Sequence, residues 1–168
     1  MSQKSTEKQN TKLQEDAKEQ TIRISALDFR GSTCDGPGIR NVVFFQGCNR
    51  HCPGCHNAGT WDPKGGYEIS VADLVEQIEK QTPKKHITIS GGEPLLQKKG
   101  LLTLVRLLRQ KGFDIAVYTG HSLKEVPSQL LKLLNSIKVG DFRINDRTTV
   151  KPYVGSKNQE FIILHNFI

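Results

Sequence analysis

From Asn41 onward, short runs of β-branched and aromatic residues alternate with stretches of helical periodicity, and this alternation restricts the chain to few folds. Asn41-Val-Val-Phe-Phe-Gln46, His86-Ile-Thr-Ile-Ser90, Phe113-Asp-Ile-Ala-Val-Tyr118, Ile137 to Ile144 and Glu160 to Leu164 read as strands, preceded by Ile22-Arg-Ile-Ser-Ala-Leu27. Ser70-Val-Ala-Asp73 reads as the N-terminal cap of a helix running to about Lys80. Leu101, Leu104, Val105 and Leu108 recur at helical spacing before Gly112. Ser122-Leu-Lys-Glu125 matches a capping box, and Leu130, Leu131, Leu133 and Leu134 place a second helix after Pro127. The pattern predicts a parallel sheet with helices packed on it and right-handed crossovers. With about five or six strands, too few to close an eight-stranded barrel, the expected architecture is an α/β incomplete barrel of mainly parallel strands with helices on its outer face. A flat doubly wound sheet is the alternative.

In such a sheet, ligands bind at the carboxyl ends of the strands. Three distinctive segments fall there. A cysteine run, Cys48-x3-Cys52-x2-Cys55, follows the strand ending near Gln46. Gly91-Gly92-Glu93-Pro94 follows the strand ending at Ser90, and Tyr118-Thr119-Gly120 closes the next. Iron–sulfur clusters normally take four cysteines. A run of three leaves one iron of a cubic cluster open to a substrate or cofactor. Zinc is the competing reading, because short cysteine spacings also suit it and His51 or His56 could complete a fourth position.

Composition narrows the class. The 168 residues favour one domain, and 36% hydrophobic residues allow one sizeable core. No apolar run is long enough to span a bilayer. The N-terminus shows no apolar signal-peptide core, so a cytoplasmic location is expected. There, four cysteines point to metal binding or catalysis more than to disulfides. The net charge is +7, and the first twenty residues, with four lysines against four acids, contribute none of it. A basic surface suits an acidic protein partner or electron carrier. Aromatic residues do not interleave with basic blocks, so a nucleic-acid platform is not expected. Residues 1–20 hold one large aliphatic side chain, Leu13, and read as a disordered polar tail; a short amphiphilic helix is the alternative. Residues 21–168 read as the single folded domain.

Together these motifs resemble the radical S-adenosylmethionine superfamily, and within it the activating enzymes of anaerobic (class III) ribonucleoside-triphosphate reductases. The resemblance covers roughly residues 22–163. It is carried by the cysteine run, Gly91-Gly-Glu-Pro94, Asp35-Gly-Pro-Gly-Ile-Arg40, Cys52-Pro-Gly-Cys-His-Asn57, Thr60-Trp61, Tyr118-Thr-Gly120 and Gly155-Ser-Lys-Asn-Gln159. It implies that Cys48, Cys52 and Cys55 bind a [4Fe–4S] cluster whose open iron takes S-adenosylmethionine. The cofactor would then carry the radical chemistry itself, with no catalytic side chain. It further implies that Gly91, Gly92 and Glu93 meet the cofactor's ammonium. His56 would border its adenine with Asn57 shaping the same cofactor-binding loop, Tyr118 and Thr119 would touch its ribose or methionine part, and Gly155, Ser156, Asn158 and Gln159 would close over the adenosine. The implied protein substrate is the reductase and the implied electron donor a flavodoxin- or ferredoxin-like carrier, with neither nucleic acid nor membrane as partner. An activase of another glycyl-radical enzyme, of the pyruvate formate-lyase type, or a small-molecule radical enzyme is the nearer alternative. A non-catalytic zinc module is the distant one. Asp35 to Gly38 reads as a receiver of the partner's glycine loop or as a plain turn, Cys34 as a plain thiol, and Trp61 as a packing residue.

Overall fold

The computed structural model describes residues 3–165. Helix α1 spans Gln3–Glu19, and strands β1 (Thr21–Ser32) and β2 (Arg40–Phe45) follow. Beyond the cysteine loop come β3 (Tyr67–Ser70), α2 (Val71–Gln81), β4 (His86–Gly91), α3 (Lys98–Gln110), β5 (Asp114–Tyr118), α4 (Ser128–Leu131), β6 (Ser136–Val139) and β7 (Glu160–Ile163). One seven-stranded sheet runs in the order β3-β1-β2-β4-β5-β6-β7. Its centre, β2-β4-β5-β6, is parallel. β1, β3 and β7 add antiparallel strands at the two edges. The sheet does not close, so this is the incomplete α/β barrel anticipated, with seven strands.

Alternation along the strands gives the sheet two chemically different faces. Ile87 and Ile89 of β4, Val117 of β5, and Ile137 and Val139 of β6 pack into the core with Leu74, Ile78, Leu104 and Leu108 of the helices. The intervening residues, Thr88, Ser90, Tyr118 and Lys138, therefore face the other, concave side. The helices form where capping and periodicity place them: Ser70 Oγ accepts from Asp73 N at 3.0 Å at the start of α2, and α3 buries Leu101, Leu104, Val105 and Leu108 on one stripe.

Three local expectations need correction. Residues Gln3–Glu19 form a helix and not a disordered tail. Their Gln, Lys and Glu residues are good helix formers, and one narrow stripe suffices to seat them. Ala17 is fully buried and Leu13 packs beside it on the core. Thr103 Oγ1 donates to Gln20 Oε1 (2.8 Å) and Gln110 Nε2 to Asn10 Oδ1 (2.8 Å). The helix after Pro127 stops at Leu131. Leu133 and Leu134 belong to a tightened exit turn, in which their amides bond the carbonyls of Leu130 and Leu131. The strand expected over Ile137–Ile144 ends at Val139, and Ile144–Asp146 is a 3-10 turn. β3, not anticipated, has four residues too exposed to show a period; its order comes from pairing with Thr21–Ile24.

At the amino ends of the central strands lies a buried guanidinium. Arg40 donates to Thr88 Oγ1 (2.8 Å), Ile87 O (2.7 Å), Asp114 O (3.0 Å) and Pro37 O (3.2 Å). It also pairs with Asp114 Oδ1 at 2.9 Å. Thr88 Oγ1 in turn donates to Asp35 O at 2.7 Å. One side chain thus ties β2, β4 and β5 together and lays the Asp35–Gly38 turn on the concave face. Arg40→Met should leave these carbonyls without a donor and cost about 2–4 kcal/mol, measured by urea unfolding. An unchanged midpoint would contradict the role given to Arg40.

Candidate functional site

Parallel register brings the carboxyl ends of β2, β4 and β5 to one level, since Phe45 lies opposite Gly91 and Ile89 opposite Val117. The loops that leave these ends form one cavity on the concave side. Cys48, Cys52 and Cys55 line it together with Asn57, Gly91, Gly92, Glu93, Tyr118, Thr119 and Gln159. The three segments separated in sequence therefore do meet.

The cysteine loop is anchored at both ends. Gly47 N and Cys48 N donate to the carbonyls of Thr60 (2.6 Å) and Trp61 (3.1 Å), and Cys55 N donates to Cys52 O (3.1 Å). Asn57 N donates to Cys55 Sγ at 3.4 Å, and Asn57 Nδ2 reaches Gly91 O at 3.4 Å. Asn57 thus joins the cysteine loop to the glycine turn. Trp61 packs against the loop, with its ring centroid 4.8 Å from that of His51. All three cysteines are half-buried, accessible to a ligand from the cavity.

The glycine turn is dictated by space. Gly91 has φ +109°, and a Cβ there would strike the backbone of Phe45. Gly92 donates to Phe45 O (2.8 Å) and Glu93 N to Gly47 O (2.8 Å), which clamps the turn to the start of the cysteine loop. Glu93 is 1% exposed. Its Oε1 accepts from Leu95 N (3.0 Å) and Thr119 Oγ1 (2.8 Å), and its Oε2 accepts from Gly120 N (2.8 Å). The carboxylate is a brace between the ends of β4 and β5. Oε2, with one protein donor, retains acceptor capacity toward the cavity.

Other residues singled out from the sequence stand elsewhere. His56 is exposed and lines a neighbouring cleft with Cys34 and Gly155, its ring 6.0 Å from that of Phe142. Ser156 is fully buried, and its Oγ accepts from Arg143 N (3.1 Å). Asn158 Nδ2 donates to Asp141 O (2.8 Å). Gln159 does reach the cavity wall, yet its amide works within the protein. Oε1 accepts from Gly155 N (2.9 Å) and Ser156 N (3.2 Å), and Nε2 donates to Gly140 O (2.9 Å). It locks the C-terminal turn onto the end of β6. Cys34 lies outside the cysteine cavity.

The cavity also holds residues the sequence reading did not single out: Arg50, Lys138, Phe142 and Gly140. Lys138 alone left a trace, a lysine between the aliphatic Ile137 and Val139 of a strand. Among the described residues, two polar atoms at the wall are buried without a partner, Arg50 Nε and Tyr118 Oη. Burial raises the Tyr118 pKa, with the nearby Asp35 adding to it, so the phenol stays neutral and able to donate. Three thiols, an acceptor at Glu93 and two unused donors fit a thiolate-bound cluster with a zwitterionic ligand. Among the described residues, no three His, Cys, Asp or Glu side chains converge on a single ion. A cubic cluster spreads its cysteines over separate irons and needs no such convergence.

Comparison with known proteins places the chain in an iron–sulfur family. Residues 34–162 match the 4Fe-4S single cluster domain family. The chain is 39% identical over 102 residues to a pyruvate formate-lyase-activating enzyme of Clostridium pasteurianum, covering 58% of this chain and 42% of the relative. It is 33% identical over 132 residues to pyruvate formate-lyase 1-activating enzyme of Escherichia coli, covering 74% and 53%. A Listeria monocytogenes pyruvate formate-lyase-activating enzyme gives 33% over 136 residues, covering 77% and 54%. The chain thus spans about half the length of the curated relatives it matches. Among solved structures, QueE from Escherichia coli superposes with a TM-score of 0.56 at 22% identity, covering 74% of this chain and 72% of QueE, a likeness of fold.

Glu93→Gln replaces one acceptor oxygen with a donor that must face Leu95 N, Thr119 Oγ1 or Gly120 N. Loss of about 2–3 kcal/mol is expected from hydrogen bonds to a charged group, with faster amide exchange at Gly120. Wild-type stability and exchange in this variant would contradict the brace.

Proposed function

This chain belongs to the 4Fe-4S single cluster domain family, among the radical S-adenosylmethionine proteins, and on that premise we propose that it activates a glycyl-radical enzyme. Its cofactors are a [4Fe–4S] cluster and S-adenosylmethionine. The observation that carries the proposal is the meeting of Cys48, Cys52 and Cys55 with the Gly91–Glu93 turn in one cavity.

In this reading Cys48, Cys52 and Cys55 would hold the cluster and the Gly91–Glu93 turn would hold S-adenosylmethionine beside it. When bound, the pair would supply one-electron reductive cleavage of the sulfonium. The chain's own residues orient and shield. Gly91 and Gly92 let backbone approach the ligand closely. Glu93 Oε2 would accept from an N–H of the cofactor's amino group, while Oε1 keeps Thr119 in place. Asn57 sets the distance between the cysteine loop and the glycine turn. Tyr118 offers a neutral hydroxyl, and Trp61 and Phe142 keep water from the cavity, which limits side reactions of a radical. The substrate is a glycine Cα–H of a partner protein, and the electron donor a flavodoxin- or ferredoxin-like carrier, suited to a chain of net charge +7.

The names of the relatives favour a pyruvate formate-lyase-type partner. Gly155-Ser-x-Asn-Gln159 supports the second reading, the anaerobic ribonucleoside-triphosphate reductase. Anaerobic reconstitution should give bound iron and sulfide in the wild-type chain and in Cys34→Ala, and none in Cys52→Ala. Reduced holoprotein with S-adenosylmethionine should raise a glycyl-radical signal in electron paramagnetic resonance when mixed with a pyruvate formate-lyase-type enzyme. A signal only with the reductase selects the second reading. Cofactor cleavage with no signal in either protein rejects activase function.

A further inference from the structure

Lys138 is the charged residue of β6, and it faces the cofactor cavity from within the sheet. Ile137 and Val139 on either side of it are buried in the core under the helices, so its side chain projects to the concave face. Its backbone is fixed from both neighbours. It lies opposite Tyr118 of β5 and Phe161 of β7, and its carbonyl accepts from Thr119 N at 2.9 Å. The side chain is half-buried and lines the cavity with the three cysteines and Glu93. Nζ stands 5.0 Å from the centroid of the Tyr118 ring, whose edge is set against Phe161 at 6.2 Å.

An ammonium drawn from water requires compensation. The Tyr118 ring provides part of it. Among the described residues the Lys138 ammonium makes neither a hydrogen bond nor an ion pair, and its polar partner is the Tyr118 ring. Glu93 is near enough to act on it electrostatically, but its carboxylate already accepts from Leu95, Thr119 and Gly120. Burial lowers the Lys138 pKa, and the negative charges of Glu93, Cys55, Cys52 and Asp35 oppose that shift. The other cation on the wall, Arg50, belongs to the cysteine loop itself. Lys138 instead stands on a central strand, where its position does not depend on how that loop closes. A cluster held by the three thiolates would place negative charge in this cavity, within reach of that ammonium. A thiolate-bound cluster carries negative charge that grows as it accepts an electron, and net charge near a cluster helps to set its potential.

We propose that Lys138 is a fixed cation that offsets the charge of the cluster held by Cys48, Cys52 and Cys55 and makes that cluster easier to reduce. The inference rests on the cluster assignment above, and iron and sulfide content tests that assignment separately.

The test compares the full-length wild type with Lys138→Met, Lys138→Gln and Lys138→Arg, each reconstituted anaerobically. Iron, sulfide and circular dichroism establish loading and fold. Midpoint potentials are then read optically during dithionite titration with dye mediators. Met and Gln differ in polarity, so the pair keeps a neutral variant available should one fail to fold. The neutral variants should load as the wild type does and show a midpoint shifted to more negative potential, with Arg restoring the wild-type value. A loaded neutral variant with the wild-type midpoint overturns the proposal. If that variant also binds S-adenosylmethionine more weakly, the charge serves the cofactor's carboxylate instead. A wild-type chain that takes up no cluster overturns the cluster assignment and this inference with it.

Discussion

The site depends on one carboxylate that the fold keeps out of water. Glu93 receives donors from its own turn and from the end of β5, while the amide of Glu93 donates back to Gly47 at the exit of β2. Three strand ends are thereby fixed relative to one another at the level where their loops diverge. That connection adds to the Asn57–Gly91 contact and to the strands beneath in holding the cysteine loop and the Tyr118–Gly120 segment together. A buried acid is expensive unless its oxygens are matched. Here matching it and assembling the cavity are the same act.

The sheet separates two tasks by its pleat. Residues facing the helices are aliphatic and supply the stability of the core. The concave side carries Val42, Phe44 and Ala116 together with polar residues graded along the strands. Arg40 and Thr88 lie toward the amino ends, where they hold the Asp35–Gly38 turn. Ser90, Tyr118 and Lys138 lie toward the carboxyl ends, where they border the cavity. Structural polar chemistry and cofactor chemistry thus share one face but occupy opposite ends of it. This division explains why glycines cluster at the cavity end: Gly91 and Gly92 stand where a side chain would collide with the backbone of Phe45 and Gly47.

Much of this was legible in the sequence, because the signals are local. The six expected strands all exist, Ser70 caps α2 as its spacing implies, and the cysteine run, the glycine turn and Tyr118-Thr119 fall at adjacent strand ends. What escaped has physical reasons. α1 gains its order from tertiary contacts of Ala17 and Leu13, which a polar composition hides. β3 is too short to show alternation. Lys138 and Arg50 enter the cavity only through the geometry of strands and loops far apart in sequence. Gln159 and Ser156 look like ligand-binding residues in a motif. In three dimensions their polar atoms satisfy neighbouring backbone, a distinction that composition does not carry.

The central claim is that three cysteines leave one iron for the cofactor beside the Gly91–Glu93 turn. It is tested most directly by electron–nuclear double resonance on the reduced holoprotein, with S-adenosylmethionine carrying a nitrogen-15 amino group and a carbon-13 carboxylate. The account predicts hyperfine coupling of both labels to the cluster, lost when the cofactor is omitted. A cluster of unchanged spectrum, coupled to neither label with cofactor bound, would contradict it.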